Sequence, residues 1–217
     1  MITTRDYQGR VNGIFDQPRL VVDGMHGPKT RDGIAEAMSK MGVRQKEDLF
    51  DRGVRGVVWH WTAGANGLIS LEKNAYNFLH DTKGNTYDGN STVAEQVMYD
   101  WRRGIGASHT KSMNTGWIGQ SVDAMAGAKQ TNPITWGLHP IAWDGIDAML
   151  KQTADLHHEY GFPISKWTTL SHAEVQPTLG VKQRWKWDYA VLPGDSKSRD
   201  PVEVGNILRE RLKEWFL

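Results

Sequence analysis

Residues 54 to 61, Val-Arg-Gly-Val-Val-Trp-His-Trp, constrain the fold more than any other stretch of the chain. Branched and aromatic side chains crowd together there and run straight into Thr62-Ala-Gly-Ala-Asn-Gly67, a glycine-rich loop. The pattern predicts a central strand ending in a loop, with His60 at its end. A second strand-like stretch, Ala75 to His80, leads into the turn Asp81-Thr-Lys-Gly-Asn85, and a third, Trp117 to Val122, follows Asn114-Thr-Gly116. Ala142, Ile146, Met149, Leu150, Thr153, Leu156 and Tyr160 mark one face of a long helix that Gly161 and Pro163 end. Trp167-Thr-Thr-Leu-Ser-His172 is again β-favouring and ends at a histidine, and a long polar loop is expected from there to about Asp200. The last helix opens with Asp200 as N-cap, Pro201 at its first position and Glu203 three after the cap, and should bury Val204, Ile207, Leu208, Leu212 and Trp215.

Strands that alternate with helices predict an α/β domain with a central mixed β-sheet flanked by helices, in which the strand-terminal His60 and His172 meet at one edge. Ahead of it, Val21-Val-Asp-Gly-Met-His-Gly-Pro-Lys-Thr30 predicts a short strand and a glycine-rich turn. A helix follows, with Pro28 in its first turn, Ile34, Ala37, Met38 and Met41 on one face, and Gly42 as its stop. Residues 1–50 are therefore expected to form a small helical appendage, and residues 51–217 the main domain.

Composition narrows the function. At 217 residues and 39% hydrophobic, the chain buries one full-sized core. A net charge of +1 with both signs interspersed disfavours nucleic acid as a partner. Cysteine is absent, which removes disulfide scaffolds, thiolate metal sites and cysteine nucleophiles and leaves His, Asp and Glu as metal ligands. No apolar run approaches the roughly 20 residues of a membrane span, and the polar Met1-Ile-Thr-Thr-Arg-Asp-Tyr start carries no export signal. The expectation is a chain made in a cytoplasm, with no membrane insertion.

Of the eight histidines, most belong on the surface or in packing. His60 and His172 stand apart because rigid elements aim them into a cleft, and Asp188 in Trp185-Lys-Trp-Asp188 is the natural third ligand on a nearby loop. Two histidines and a carboxylate leave the fourth tetrahedral position of a zinc ion to water, the arrangement of a hydrolytic rather than a structural site. Lys186, two residues earlier, would face developing oxyanion charge; the alternative is a solvated loop lysine.

Four blocks in order, Val57-Val-Trp-His-Trp-Thr-Ala-Gly64, Asn114-Thr-Gly-Trp-Ile-Gly119, His172-Ala-Glu-Val-Gln-Pro177 and Lys186-Trp-Asp188, resemble the zinc amidases that include phage T7 lysozyme and the peptidoglycan recognition proteins. The resemblance runs from about Val54 to Trp215. It implies one zinc ion on His60, His172 and Asp188, catalytic roles for Lys186 and Tyr76, and a substrate groove touched by His109 and Asn114. The implied reaction is hydrolysis of the amide between the lactyl group of N-acetylmuramic acid and L-alanine in peptidoglycan, by a monomer. It also implies a phage endolysin, held in the host cytoplasm until it reaches the periplasmic wall.

The chain departs from the family at Ser121, where some branches carry a glutamate base, at Asn77, where relatives often carry histidine, and in a longer stretch from His172 to Asp188. Glu174 reads as a loop charge in preference to a group supporting a ligand. Val22 to Thr30 resembles part of a peptidoglycan-binding repeat, against the alternative of a helical prop. Two other functions share these residues: a module that binds peptidoglycan without cutting it, and a zinc peptidase acting on the stem peptide. Products separate them.

Overall fold

The strand expected at the centre is there, trimmed to β1 (Gly56–Trp61) and buried along its whole length. In the computed structural model, which describes residues 2–15, 18–50, 53–184 and 186–216, β1 lies between two parallel neighbours, β4 (Trp117–Val122) and β5 (Thr169–Ser171). Beyond β4 come β2 (Phe78–His80), also parallel, and β3 (Thr86–Asp88), antiparallel at the edge. The sheet order is β3-β2-β4-β1-β5. This is the mixed α/β sheet that the alternation predicts. Trp185 and the proposed boundary at residue 51 lie outside the described residues.

Strand periodicity divides the two faces, because successive side chains of β1 point to opposite sides. Val57, Trp59 and Trp61 join Ile118 and Val122 in one core with Ile146, Met149 and Leu150 of α5 (Trp143–Tyr160) and Val204, Leu208 and Leu212 of α7 (Pro201–Leu212). Trp59 Nε1 donates to Thr153 Oγ1 of α5 at 3.0 Å, which fixes that face. Val58 points the other way, into a smaller cluster with Met113, Trp117, Leu170, Val175 and Leu179. His60 shares that side, so it is aimed away from α5.

Several elements differ from the sequence reading. Ala75 is not strand but the end of α3 (Ser70–Ala75), and β2 starts three residues later. His172 does not end β5; it opens α6 (His172–Leu179), inside what was expected to be loop. There Glu174 Oε2 accepts from the Ser171 N–H at 2.8 Å, and Arg209 Nη2 donates to Glu174 Oε1 at 2.8 Å. Glu174 is fully buried, so it is a structural charge and not a loop charge. Of the residues expected inside α7, Trp215 falls beyond its end and is 42% exposed.

At the N-terminus α2 (Pro28–Met41) matches its expected start and stop, with Gly42 left-handed at φ 68°. The short strand at Val21 does not form. A helix that the sequence reading lacked, α1 (Thr4–Ile14), packs on α2 instead, with Tyr7, Val11, Ile34, Ala37, Leu49 and Phe50 as their common core. Its inward face is partly polar, which weakens the apolar periodicity. Gln8 donates to Asp23 Oδ1 and Asn12 to the Leu20 carbonyl, so these side chains hold the 20–25 segment in place of a β partner.

Candidate metal centre

Strand alternation sends the His60 ring to the face opposite α5, capping of α6 places His172 in its first turn just past the end of β5, and Asp188 arrives from the loop before α7. All three are buried and can converge on one ion. His60 Nδ1 lies 3.0 Å from His172 Nδ1 and 3.4 Å from Asp188 Oδ2, and His172 Nδ1 lies 3.5 Å from the same oxygen. A tetrahedral zinc ion with bonds of about 2.0–2.2 Å sets its donor atoms roughly 3.3 Å apart. The triangle therefore has the size that a zinc ion needs, and the donor set of two imidazole nitrogens and one carboxylate suits it.

Protonation agrees. Metal ligands must be neutral imidazoles and an ionised carboxylate. Burial pulls His60 down to about 4, against an opposing pull from Asp188, so its ring is neutral near pH 7. Burial alone would raise Asp188, but the bonds to His172 and His60 outweigh it and hold the carboxyl well below the usual range.

The outer atoms of both rings are also held. His172 Nε2 lies 3.0 Å from Gln183 Oε1, and the Gln183 amide donates to the Lys111 carbonyl at 3.0 Å. His60 Nε2 lies 3.2 Å from His109 Nδ1, and the Tyr189 hydroxyl donates to the His60 carbonyl at 3.1 Å. Gln183 and Thr110 were not singled out from sequence. Gln183 sits in the polar run Val181-Lys-Gln-Arg184, which carries no signal of its own.

Tyr76, between α3 and β2, has its ring centroid 5.1 Å from that of His60, the two planes tilted by 46°. Burial, reinforced by the Asp188 charge, pushes its phenol well above the ordinary value, against an opposing interaction with Ser121. Lys186 is exposed on the loop two residues before Asp188, near enough for its charge to oppose protonation of His60. With Ala173, Gln176, Pro177, Gln183 and Pro201 it lines an open cleft of about 490 Å³, which reaches Gln183, the partner of His172, but is lined by none of the three ligands.

The residues expected in a substrate groove are placed differently from the ligands. His109 is 9% exposed, with both ring nitrogens engaged by protein atoms. Asn114 Oδ1 accepts from the His109 and Thr110 N–H groups at 3.1 and 2.8 Å, closing their loop. His80 is the last residue of β2 and fully buried, between Thr86 Oγ1 and Gln120 Oε1.

No family model and no curated protein matches the chain. Among solved structures it is similar to N-acetylmuramoyl-L-alanine amidase LysC from Clostridium intestinale URNW, with 13% identity and a TM-score of 0.43 over 76% of this chain and 89% of that one. It is similar also to the endolysin N-acetylmuramoyl-L-alanine amidase LysCS of the same organism, with 13% identity and a TM-score of 0.44 over 76% and 88%. At such identity nothing about chemistry passes from those chains to this one, and the site is read from its own atoms.

Proposed function

We propose that the protein is a zinc-dependent N-acetylmuramoyl-L-alanine amidase of the phage endolysin type, cutting the amide between the lactyl group of N-acetylmuramic acid and L-alanine. The observation that carries this reading is the triangle of His60 Nδ1, His172 Nδ1 and Asp188 Oδ2, with sides of 3.0, 3.4 and 3.5 Å. The ordered sequence blocks around those residues support the choice of substrate. A zinc ion held there supplies Lewis acidity for an amide carbonyl and water that is acidic near neutral pH.

This chain's own groups do the rest. Near pH 7 Asp188 is ionised and His60 neutral, so neither competes for the proton in transit. The Tyr76 phenol keeps its proton and donates toward the oxyanion that forms as the amide carbon becomes tetrahedral. Lys186, exposed at the cleft, lends positive charge to the same oxygen. With Ser121 in place of a carboxylate, the proton that water gives up on adding to the amide carbon passes to the leaving amine by way of Lys186 or solvent.

The substrate is wall polymer, the active species a monomer, and the site of action the periplasmic wall after release from a host cytoplasm. No helix among the described residues is long and apolar enough to cross a membrane. The test is digestion of purified peptidoglycan by zinc-loaded wild type and by His172→Ala, with mass spectrometry of the products. Stem peptides that begin at free L-alanine, released by wild type alone, are expected. Cleavage inside the stem would make it a peptidase, and wall binding without products would make it a recognition module.

A further inference from the structure

His109 is the buried group that the catalytic reading leaves without a task. Its Nε2 lies 3.0 Å from the Trp117 carbonyl oxygen, which only accepts, so Nε2 carries the ring proton. In the neutral ring Nδ1 is then a bare acceptor. Two groups face it: Thr110 Oγ1 at 2.8 Å and His60 Nε2 at 3.2 Å. Thr110 Oγ1 is itself 3.3 Å from His60 Nε2.

Whichever of the two donates to His109, the outcome at His60 is the same. If His60 Nε2 donates directly, it holds the proton. If the Thr110 hydroxyl donates instead, its oxygen is left to accept from His60 Nε2. A proton on His60 Nδ1 would instead point into the ligand triangle and leave two bare nitrogens 3.2 Å apart, with one hydroxyl proton to share. A buried acceptor left without a donor costs roughly 1–3 kcal/mol.

We propose that His109 is a positioning residue: through the chain Trp117 carbonyl, His109, His60 it fixes the proton of His60 on Nε2 and presents Nδ1 to zinc. This rests on the zinc reading above and deepens it, because it gives His109 a role toward a ligand in place of contact with substrate. Metal-bound histidines generally need such an outer partner to hold tautomer and ring plane. An imidazole does this without adding charge, unlike the more common carboxylate partner.

The surrounding backbone is shaped for that ring. Gly119 of β4 leaves the space it occupies, since a β-carbon there would stand 2.6 Å from His109 Cγ and Cδ2. Gln96 of α4 (Val93–Val97) pins the loop, donating to the Ala107 and Asn114 carbonyls at 3.0 and 2.7 Å. The same loop reaches the second ligand, because the Lys111 carbonyl orients the Gln183 amide so that its oxygen faces His172 Nε2.

The experiment uses the full chain as wild type, His109→Leu and His109→Gln, with zinc affinity measured by chelator competition. Long-range nitrogen–proton NMR of the zinc-loaded wild type accompanies it. Glutamine offers an acceptor and a donor at nearly the spacing of the imidazole nitrogens, whereas leucine fills space only. Leucine should weaken zinc binding about 10- to 100-fold, glutamine should recover most of that loss, and NMR should place protons on Nε2 of both His60 and His109. Equal zinc affinity in all three proteins, glutamine as weak as leucine, or a proton on His109 Nδ1 would each overturn the proposal. Should the leucine variant not fold, the wild-type spectrum decides. A wild type that takes up no zinc would overturn the metal reading itself, and a wild type that binds zinc with the other tautomers would overturn this inference alone.

Discussion

Tyr76 follows α3 with its ring 5.1 Å from that of His60, and burial together with the Asp188 charge pushes its phenol well above the ordinary value, so it is protonated near neutral pH. A protonated phenol beside a metal centre is a donor, not a base, so removing its hydroxyl should act on the reaction and not on the metal. Tyr76→Phe is expected to lower kcat on muropeptide about 100- to 1,000-fold, the loss typical of one oxyanion donor, with zinc content unchanged. Paired turnover and metal analysis checks this; zinc lost along with activity would make Tyr76 a packing residue. His60 and Asp188 were legible in sequence because a strand end and an ordered block place them. The work of His109 was not, since it depends on which way two ring nitrogens face across a buried gap.

α6 shows what sequence conceals at the next scale. Its eight residues include Pro177 and look like loop, yet the helix carries a ligand at its first position because tertiary contacts hold it. Glu174 is the pivot, receiving Arg209 from α7 and the Ser171 N–H at once. Arg209 also donates to the Thr169 carbonyl of β5 at 2.8 Å. Gly205 of α7 makes this possible, because a β-carbon there would run into the Glu174 carboxylate. Gly205→Ala therefore sets two effects against each other. Helix propensity favours alanine by about 1 kcal/mol, while overpacking a buried ion pair typically costs 1–3 kcal/mol and pushes Glu174 off its partners. The expected net result in urea denaturation is a loss of stability and a weaker hold on zinc through His172. A gain in stability would show that the Glu174–Arg209 pair shifts freely. By contrast β4, α2 and the start of α7 were legible to within a residue or so, because turn glycines, Pro at the first helical position and Asp200 are local signals.

For the molecule as a whole, the sequence reading expects an appendage of 50 residues, and side-chain links cross from that segment to the rest of the chain. Arg55 pairs with Asp6 at 2.7 Å, and Arg5 donates to the Leu179 carbonyl at 3.0 Å. Neither link is visible in sequence, since each joins positions far apart in the chain. The fold as a unit should also respond to acid through its buried neutral histidines. His80, packed between β2, β3 and β4, is brought down by burial from 6.5 to about 4. The unfolded chain then binds the proton more readily than the fold. The stabilising contribution is whole above pH 6.5 and is lost as pH falls toward 4, up to about 3 kcal/mol at 1.36 kcal/mol per pKa unit. His60 and His109 shift in the same direction and add to the slope. Urea denaturation of metal-free wild type and His80→Gln at pH 7 and pH 4.5 isolates the share of His80. The variant should lose less stability than wild type on going to pH 4.5, whatever its stability at pH 7. Equal losses would mean that His80 takes up its proton without opening the sheet, and that the acid sensitivity of the fold lies with His60 and His109.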